Sequence, residues 1–312
     1  MTRREDDVAE TMFIASSHDY VMFLTTKGRA FRLKGYEIPE GSKNSKGMNI
    51  VNLLPLENGE KISAMLSVPA DDEGKFLCMF TKKGLIKRTA LSLYKNIRKN
   101  GLNAISLRED DELVFVKLTS GNDELLIATK KGMCIHINET NARPLGRTAT
   151  GVKAITLRDG DEVAGVAVLH EGGKVLTVSE TGYGRRSEIS DYRLQSRGGK
   201  GLKNYHVEKY GDVAVISDIN EEDDIILISQ DGIIIRIPAA AVRVCARPSK
   251  GVKVMRLGEN DKVVTLSTTE HDEDEVNGTV EDDGTAAEGA GDTSEDNEDV
   301  GTEDVNTQAT EE

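Results

Sequence analysis

The stretch Leu194-Gln195-Ser196-Arg197-Gly198-Gly199-Lys200-Gly201 sets an arginine and a lysine among three glycines. Glycine has no Cβ, so the chain there can turn tightly and another surface can come close. Successive N–H groups left open in such a turn, flanked by Arg and Lys, form a concavity suited to a phosphate. Gln195, Arg197, Gly198, Gly199, Lys200 and Gly201 are therefore candidate phosphate contacts. One such string is also what an ordinary basic surface turn looks like. The reading gains weight only if the pattern recurs.

Other chemistry fits the sequence poorly. A nucleotide-binding P-loop needs Gly-x-x-x-x-Gly-Lys-Ser/Thr. Around Gly199-Lys200 the first glycine is Leu194 and the hydroxyl residue is Gly201, so no ATP is expected there. His18, His136, His170, His206 and His271 lack the spacing of metal ligands. Cys78, Cys134 and Cys245 lie far apart; the first two sit in apolar runs as small core residues, which suits a reducing cytoplasm. Paired acids such as Asp110-Asp111 and Asp223-Asp224 read as solvated turn residues rather than catalytic pairs.

The glycine string is positioned by a repeat. A turn ending in glycine recurs at Gly28, Gly84, Gly132, Gly182 and Gly232, at intervals of 56, 48, 50 and 50. A second glycine follows each by 19, 17, 19, 19 and 19 residues, at Gly47, Gly101, Gly151, Gly201 and Gly251. An aliphatic residue closing an acidic turn comes 15, 12, 12, 12 and 12 further on, at Ile62, Leu113, Val163, Val213 and Val263. Short β-branched or bulky runs precede the first glycines, among them Val21-Met22-Phe23-Leu24 and Ile225-Ile226-Leu227-Ile228, and predict strands. The glycine turns each run into a second strand. Segments such as Val152–Leu157 predict a third, and Val163–Val168 a fourth. Four antiparallel strands per repeat make a propeller-type blade, so the fold class is all-β with about five blades in view. A solenoid of strands is the alternative. There is no tryptophan and aromatic content is 4%, which removes the WD signature and any platform for stacking single-stranded bases.

Basic residues keep this register. Four positions after the first glycines stand Arg32, Arg88, His136, Arg186 and Arg236. Four before the second glycines stand Lys43, Ile97, Arg147, Arg197 and Arg247, with Arg98 and Lys99 beside Ile97. Directly before the second glycines are Lys46, Asn100, Thr150, Lys200 and Lys250; two after them are Asn49, Asn103, Lys153, Lys203 and Lys253. Equivalent positions in a ring of blades turn each column into a belt of positive charge. A belt without a base-reading constellation suits sequence-tolerant contact with duplex phosphates, falling steeply with salt. Contacts spread around a curve also favour bent DNA. Ala30, Ile86, Cys134, Gly184 and Ile234, two after the first glycines, share a face with the Arg32 column and place it near the blade rim. A protein-interaction propeller is the rival reading; a propeller hydrolase would need a convergent constellation that the sequence lacks.

The formal net charge of −14 is unevenly spread. Residues 270–312 hold 18 Asp and Glu and no Lys or Arg, leaving 36 acidic against 40 basic residues elsewhere, a net of +4. The tail has too little apolar surface to offset its ordering entropy, so it is expected to be disordered and to fold back on the basic belt in competition with DNA. The expected division is a lead-in over 1–11, a repeat domain over 12–269 and the acidic tail. No signal-peptide pattern follows Met1. The longest apolar run, around Gly232 to Val242, is broken by Arg236 and Pro238, so no membrane span is expected.

The repeats, the string Gln195–Gly201 and the acidic tail together resemble the DNA gyrase A C-terminal domain, from about Met12 to Leu266, in wording nearest to Gram-positive bacteria. Supporting stretches are Ala30–Pro39, Ile50–Leu56 and Gly182-Tyr183-Gly184-Arg185-Arg186. The resemblance implies a six-bladed β-pinwheel in which blades exchange strands and duplex DNA wraps around a basic perimeter. It implies partnership with gyrase B and the rest of gyrase A in a cytoplasmic A2B2 enzyme, with ATP and Mg bound elsewhere in that enzyme. The family's hallmark box, Gln-Arg-Arg-Gly-Gly-Lys-Gly, lies in its first blade; here Ser196 takes its second place and the box falls in the fourth repeat. The chain thus resembles blades two to six. None of Tyr20, Tyr36, Tyr94, Tyr183, Tyr192, Tyr205 and Tyr210 has the flanks of the family's DNA-cleaving tyrosine, so no catalytic residue is expected. The C-terminal domain of topoisomerase IV is the sibling alternative.

Overall fold

The computed structural model describes residues 15–41, 47–69 and 73–270. The lead-in, the acidic tail beyond Glu270, and Lys43 and Lys46 lie outside them. The first repeat contributes β1 (Tyr20–Thr25), β2 (Arg29–Lys34) and β3 (Ile62–Val68). The second gives β4 (Phe76–Thr81), β5 (Leu85–Ala90), β6 (Leu102–Asn103) and β7 (Leu113–Thr119). The third gives β8 (Glu124–Thr129), β9 (Met133–Asn138), β10 (Val152–Lys153) and β11 (Val163–Leu169). The fourth gives β12 (Lys174–Ser179), β13 (Tyr183–Glu188), β14 (Leu202–Lys203) and β15 (Val213–Ile219), and the fifth β16 (Asp223–Ser229), β17 (Ile234–Pro238), β18 (Val252–Lys253) and β19 (Val263–Glu270).

Five antiparallel blades result, as the repeats predict, but the third strand does not stay in its own blade as the repeats alone predict; it is exchanged, as the family resemblance implies. It is two residues long and joins the preceding blade: the sheet orders are β3-β1-β2-β6, β10-β5-β4-β7, β11-β8-β9-β14 and β15-β12-β13-β18. Among the described residues the fifth blade has three strands, β17-β16-β19, and residues 50–52 form a 3-10 turn in place of a donated strand.

The two glycine columns are the joint of this exchange. Ala104, Ala154, Asn204 and Val254 donate their amides to the carbonyls of Gly28, Gly84, Gly132 and Gly182 in the preceding repeat, at 2.7–2.9 Å. That bond draws the chain off the sheet and ends the donated strand. A Cβ on Gly28 would lie 2.7 Å from Ile105, and one on Gly151 would lie 2.6 Å from the Ile86 carbonyl oxygen. Gly28, Gly84, Gly132 and Gly182 therefore admit the next repeat, and Gly101, Gly151, Gly201 and Gly251 let that repeat lie flat on its host.

Strands β4, β8 and β12 carry near-continuous apolar runs because neighbouring repeats cover both faces, while on β1 the Val21 and Phe23 face packs on Leu54 of its own repeat. The cores lie between blades: Met22 and Leu24 meet Leu77, Met79 and Val116, while Leu176 and Val178 meet Ile225 and Leu227. Buried hydroxyls close the hairpins, with Thr25, Thr81, Thr129, Ser179 and Ser229 accepting the amide four residues on. The acids of the turns are anchored rather than solvated. Asp111 and Asp261 are buried, and Asp111, Asp161 and Asp261 accept from the hairpin amides of Lys83, Lys131 and Asp231 at 2.9–3.0 Å. The inner strands β3, β7, β11, β15 and β19 line a central cavity of about 240 Å³. Among the described residues no helix is long and apolar enough to cross a membrane.

Candidate nucleic-acid interface

The rim of each blade is where one repeat hands a strand to its predecessor, and the loop carrying the second glycine lies there. Three such loops are tied down the same way: Leu145, Gln195 and Cys245 donate their amides to the carbonyls of Arg88, His136 and Arg186, each at 2.8 Å. The loops thereby run along the second strand of the repeat before.

The glycine string of the fourth repeat is held at more points than the sequence suggests. Gly198 donates its amide to Ala154 O at 2.6 Å. Thr156 donates its amide to Gly199 O at 2.8 Å and its hydroxyl to Gly198 O at 2.7 Å. Gly198 and Gly201 adopt φ of +83° and +73°. The Gly198 N–H expected to face a phosphate is thus spent inside the protein. Gln195 is partly buried, and its Nε2 faces inward without a partner among the described residues. The side chains of Arg197 and Lys200 are exposed.

Arg197 reaches back to the preceding repeat, donating from Nε to Asn141 O (3.0 Å) and from Nη1 to Lys153 O (3.3 Å). Arg247 repeats this with Asp191 O (2.8 Å) and Lys203 O (2.6 Å). Carbonyls fix these guanidiniums without neutralising them. Arg147 lines a shallow groove with Arg98, Lys95 and Gly101. Lys250 and Lys253 sit over the Tyr183 ring, at 4.0 and 4.7 Å from its centroid. Each basic loop between Arg98 and Lys253 therefore abuts the one before it.

The column four after the first glycine does not belong to that belt. Arg88 and Arg186 are 6% and 3% exposed. Arg88 donates to Gly121 O (3.0 Å) and Glu139 (3.4 Å), and Arg186 to Val242 O (2.7 Å). Arg32 lies over the Tyr20 ring and donates to Lys95 O (2.9 Å), while Arg236 bonds Asp224 at 2.7 Å. The column does reach the rim, but there the next repeat's loop closes over it, with Pro144 and Val244 bridging Arg88 and Arg186. Arg32, Arg88 and Arg186 are joints between repeats, while exposed Arg236 pairs within its own blade.

Three exposed arginines outside the expected columns join the belt: Arg143, Arg193 and Arg243, eight residues before the second glycine. Their constant spacing is the signal that identifies them. Among the described residues Arg98, Arg143, Arg147, Arg193, Arg197, Lys200, Arg243 and Lys250 make no ion pair, whereas Lys82, Lys130, Lys131 and Lys262 on the hairpin side do. Glu162 bridges Lys82 (3.3 Å) and Lys130 (3.4 Å), and Glu180 bridges Lys130 (3.4 Å) and Lys262 (3.0 Å). Burial pushes the Cys78 and Cys134 thiols up to about 12, so neither is a ready nucleophile. No cluster with metal-ligand character occurs among the described residues.

Comparison with known proteins agrees with this geometry. The family model described as "DNA gyrase C-terminal domain, beta-propeller" matches residues 19–69, 75–120, 123–170, 173–217 and 223–270. The DNA gyrase A protein of Clostridium acetobutylicum is 53% identical over 151 residues, covering 48% of this chain and 18% of the relative. That of Staphylococcus aureus is 49% identical over 152 residues, covering 48% and 17%. The chain thus spans under a fifth of the length of either relative. A solved structure of a DNA gyrase A C-terminal domain superposes with a TM-score of 0.72 at 27% identity, over 81% of this chain and 83% of that one. A topoisomerase IV C-terminal domain superposes with a TM-score of 0.73 at 24% identity, over 81% and 80%, and shares the fold. With five consecutive matched repeats coinciding with five observed blades, the chain belongs to the DNA gyrase C-terminal domain, beta-propeller family.

Proposed function

We propose that this chain is the DNA-binding and DNA-wrapping module of a DNA gyrase A protein. It bends duplex DNA around its rim in support of ATP-dependent negative supercoiling by the whole enzyme. The observation that carries the reading is the recurrence, on successive outer loops, of exposed cations without an ion partner among the described residues: Arg98, Arg143, Arg147, Arg193, Arg197, Lys200, Arg243 and Lys250. A duplex following those loops meets a cation at each blade, and the additional phosphates reached on a bent path offset the elastic cost. The rest of gyrase A and gyrase B are the partners, and ATP chemistry resides with them. Because the outer loops present side chains that read charge, binding is expected to be indifferent to base sequence and dominated by counterion release.

The test is to ligate nicked circular plasmid with the chain bound and to resolve the topoisomers. A shifted distribution supports wrapping, and an unshifted one with DNA bound reduces the chain to a plain binder. Affinity should fall by about 10³-fold or more between roughly 50 and 200 mM salt. Weak salt dependence would remove the reading altogether.

A further inference from the structure

Beneath the basic loops lie two cations with no anionic partner among the described residues. Three residues after the first glycine the repeats place Phe31, Lys87, Ile135, Arg185 and Ile235. In four repeats this residue is the floor under the next repeat's loop. Phe31 sits under Gly101 and Ile135 under Gly199, both as apolar supports. Lys87 and Arg185 take the same place under Gly151 and Gly251, and both are fully buried. Lys87 donates from Nζ to Ala104 O of its own repeat and to Arg147 O of the next. Arg185 donates from Nε to Ser249 O of the next repeat (3.1 Å), from Nη1 to Ser187 Oγ (2.9 Å), and from Nη2 to Asn204 Oδ1 (3.1 Å) and Asn204 O. All these acceptors are neutral.

Resting on the duplex-binding reading, we propose that Lys87 and Arg185 are positioning residues of the rim. They hold the backbone of the loops bearing Arg147 and Lys250 at a fixed height, and they add uncompensated charge directly under the DNA path. A structural tie alone would be served as well by neutral donors. A charge left unpaired in a poorly screened interior projects its field to the surface above it, where phosphates would pass.

The two differ in how they hold a proton. Burial, reinforced by the facing Arg147 guanidinium, brings the Lys87 amine down to about 8 from its ordinary 10.5. The other titratable group at this spot is Tyr94, whose hydroxyl donates to the same Ala104 carbonyl and which burial pushes up to about 12. The phenols of Tyr192 and Tyr205 and the Cys134 thiol, which face Arg185, are likewise pushed up by burial and stay neutral. A guanidinium, unlike an amine, does not give up its proton in this pH range. As pH rises through about 8, the charge under Arg147 is lost, while the folded state gains stability because the unfolded chain still binds that proton.

The experiment follows binding of the full chain to a linear duplex at constant ionic strength, from about pH 7 to about pH 9.5, with urea unfolding in parallel. In the wild type, affinity falls by roughly three- to tenfold across this window. Lys87→Arg should keep the neutral-pH affinity and remove the step; Arg185→Lys, which installs a titrating amine under the second loop, should add one. Profiles of both variants that overlay the wild type would overturn the proposal. If Lys87→Arg does not fold, Arg185→Lys decides the matter alone. A wild type that fails to bind duplex at pH 7 and low salt would instead overturn the duplex-binding reading, and would do so before either variant is compared.

Discussion

Gly201 tests the joint between blades most directly. It adopts φ of +73°, and a Cβ built there would lie 2.8 Å from the carbonyl carbon of Cys134, on strand β9 of the host blade. That neighbour is backbone and cannot rotate away. Gly201→Ala therefore meets two costs. The left-handed conformation costs an alanine about 1 kcal/mol. Relief of the overlap requires β14 to move off β9, giving up the pairing of Leu202 with Cys134 and Lys203 with Met133, at about 1 kcal/mol for each bond lost. The total is about 3 kcal/mol, which at a urea slope of about 3 kcal/mol/M moves the unfolding midpoint down by about 1 M. Gly146→Ala is the control, since a Cβ there meets nothing within 4 Å. It should change stability by less than about 0.5 kcal/mol. Far-UV circular dichroism reports the midpoint, and hydrogen exchange at Asn204, whose amide donates to Gly132 O across the joint, reports the joint. Equal midpoints for the two variants would refute the role of the second glycine in strand exchange.

Other outcomes follow from the same geometry. Replacing Arg143, Arg193 and Arg243 together by alanine should lower the slope of log affinity against log salt by about three, with unfolding unchanged; an unaltered slope would place these arginines off the DNA path. Arg88→Leu leaves the fully buried Glu139 carboxylate without its ion partner and should cost about 3–5 kcal/mol in a urea melt. Arg197→Ala should cost less than about 1 kcal/mol yet weaken duplex binding more, and the opposite ordering would return the Arg88 column to the interface. Burial alone would raise the Glu60 carboxyl, but bonds from the Glu57 amide, the Thr25 hydroxyl and Arg29 outweigh it and hold the group below its ordinary 4.5. A depressed carboxylate contributes stability above its unfolded value that is lost as pH falls through the folded one, so the wild type should lose stability below about pH 4.5 more steeply than Glu60→Gln. Parallel acid slopes would show that Thr25 and Arg29 do not favour the ionised form.

Much of this molecule is legible in the linear sequence because its constraints are local and repeated. A glycine with positive φ at Gly84 or Gly132, a hydroxyl three residues before it and an apolar run before that specify a hairpin wherever they occur, and five occurrences specify five blades. The loop glycines, the Arg147–Arg197–Arg247 spacing and the family resemblance were readable for the same reason. Which cations face outward was not. Arg88 and Arg197 look alike in sequence, and each stands in a regular column. One is covered by a loop from the next repeat, some 50 residues on, while the other lies on top of such a loop. Donation of β10 and β14 to the preceding blade escaped the repeat pattern for a related reason. Periodicity states how far apart equivalent residues are, whereas pairing depends on which neighbour supplies the free carbonyl. Repetition along the chain therefore determined the blades and their glycine joints. Only the packing of one repeat against the next, by burying Lys87, Arg88, Arg185 and Arg186 and leaving Arg193 and Lys200 in water, decided which charges a polyanion can meet.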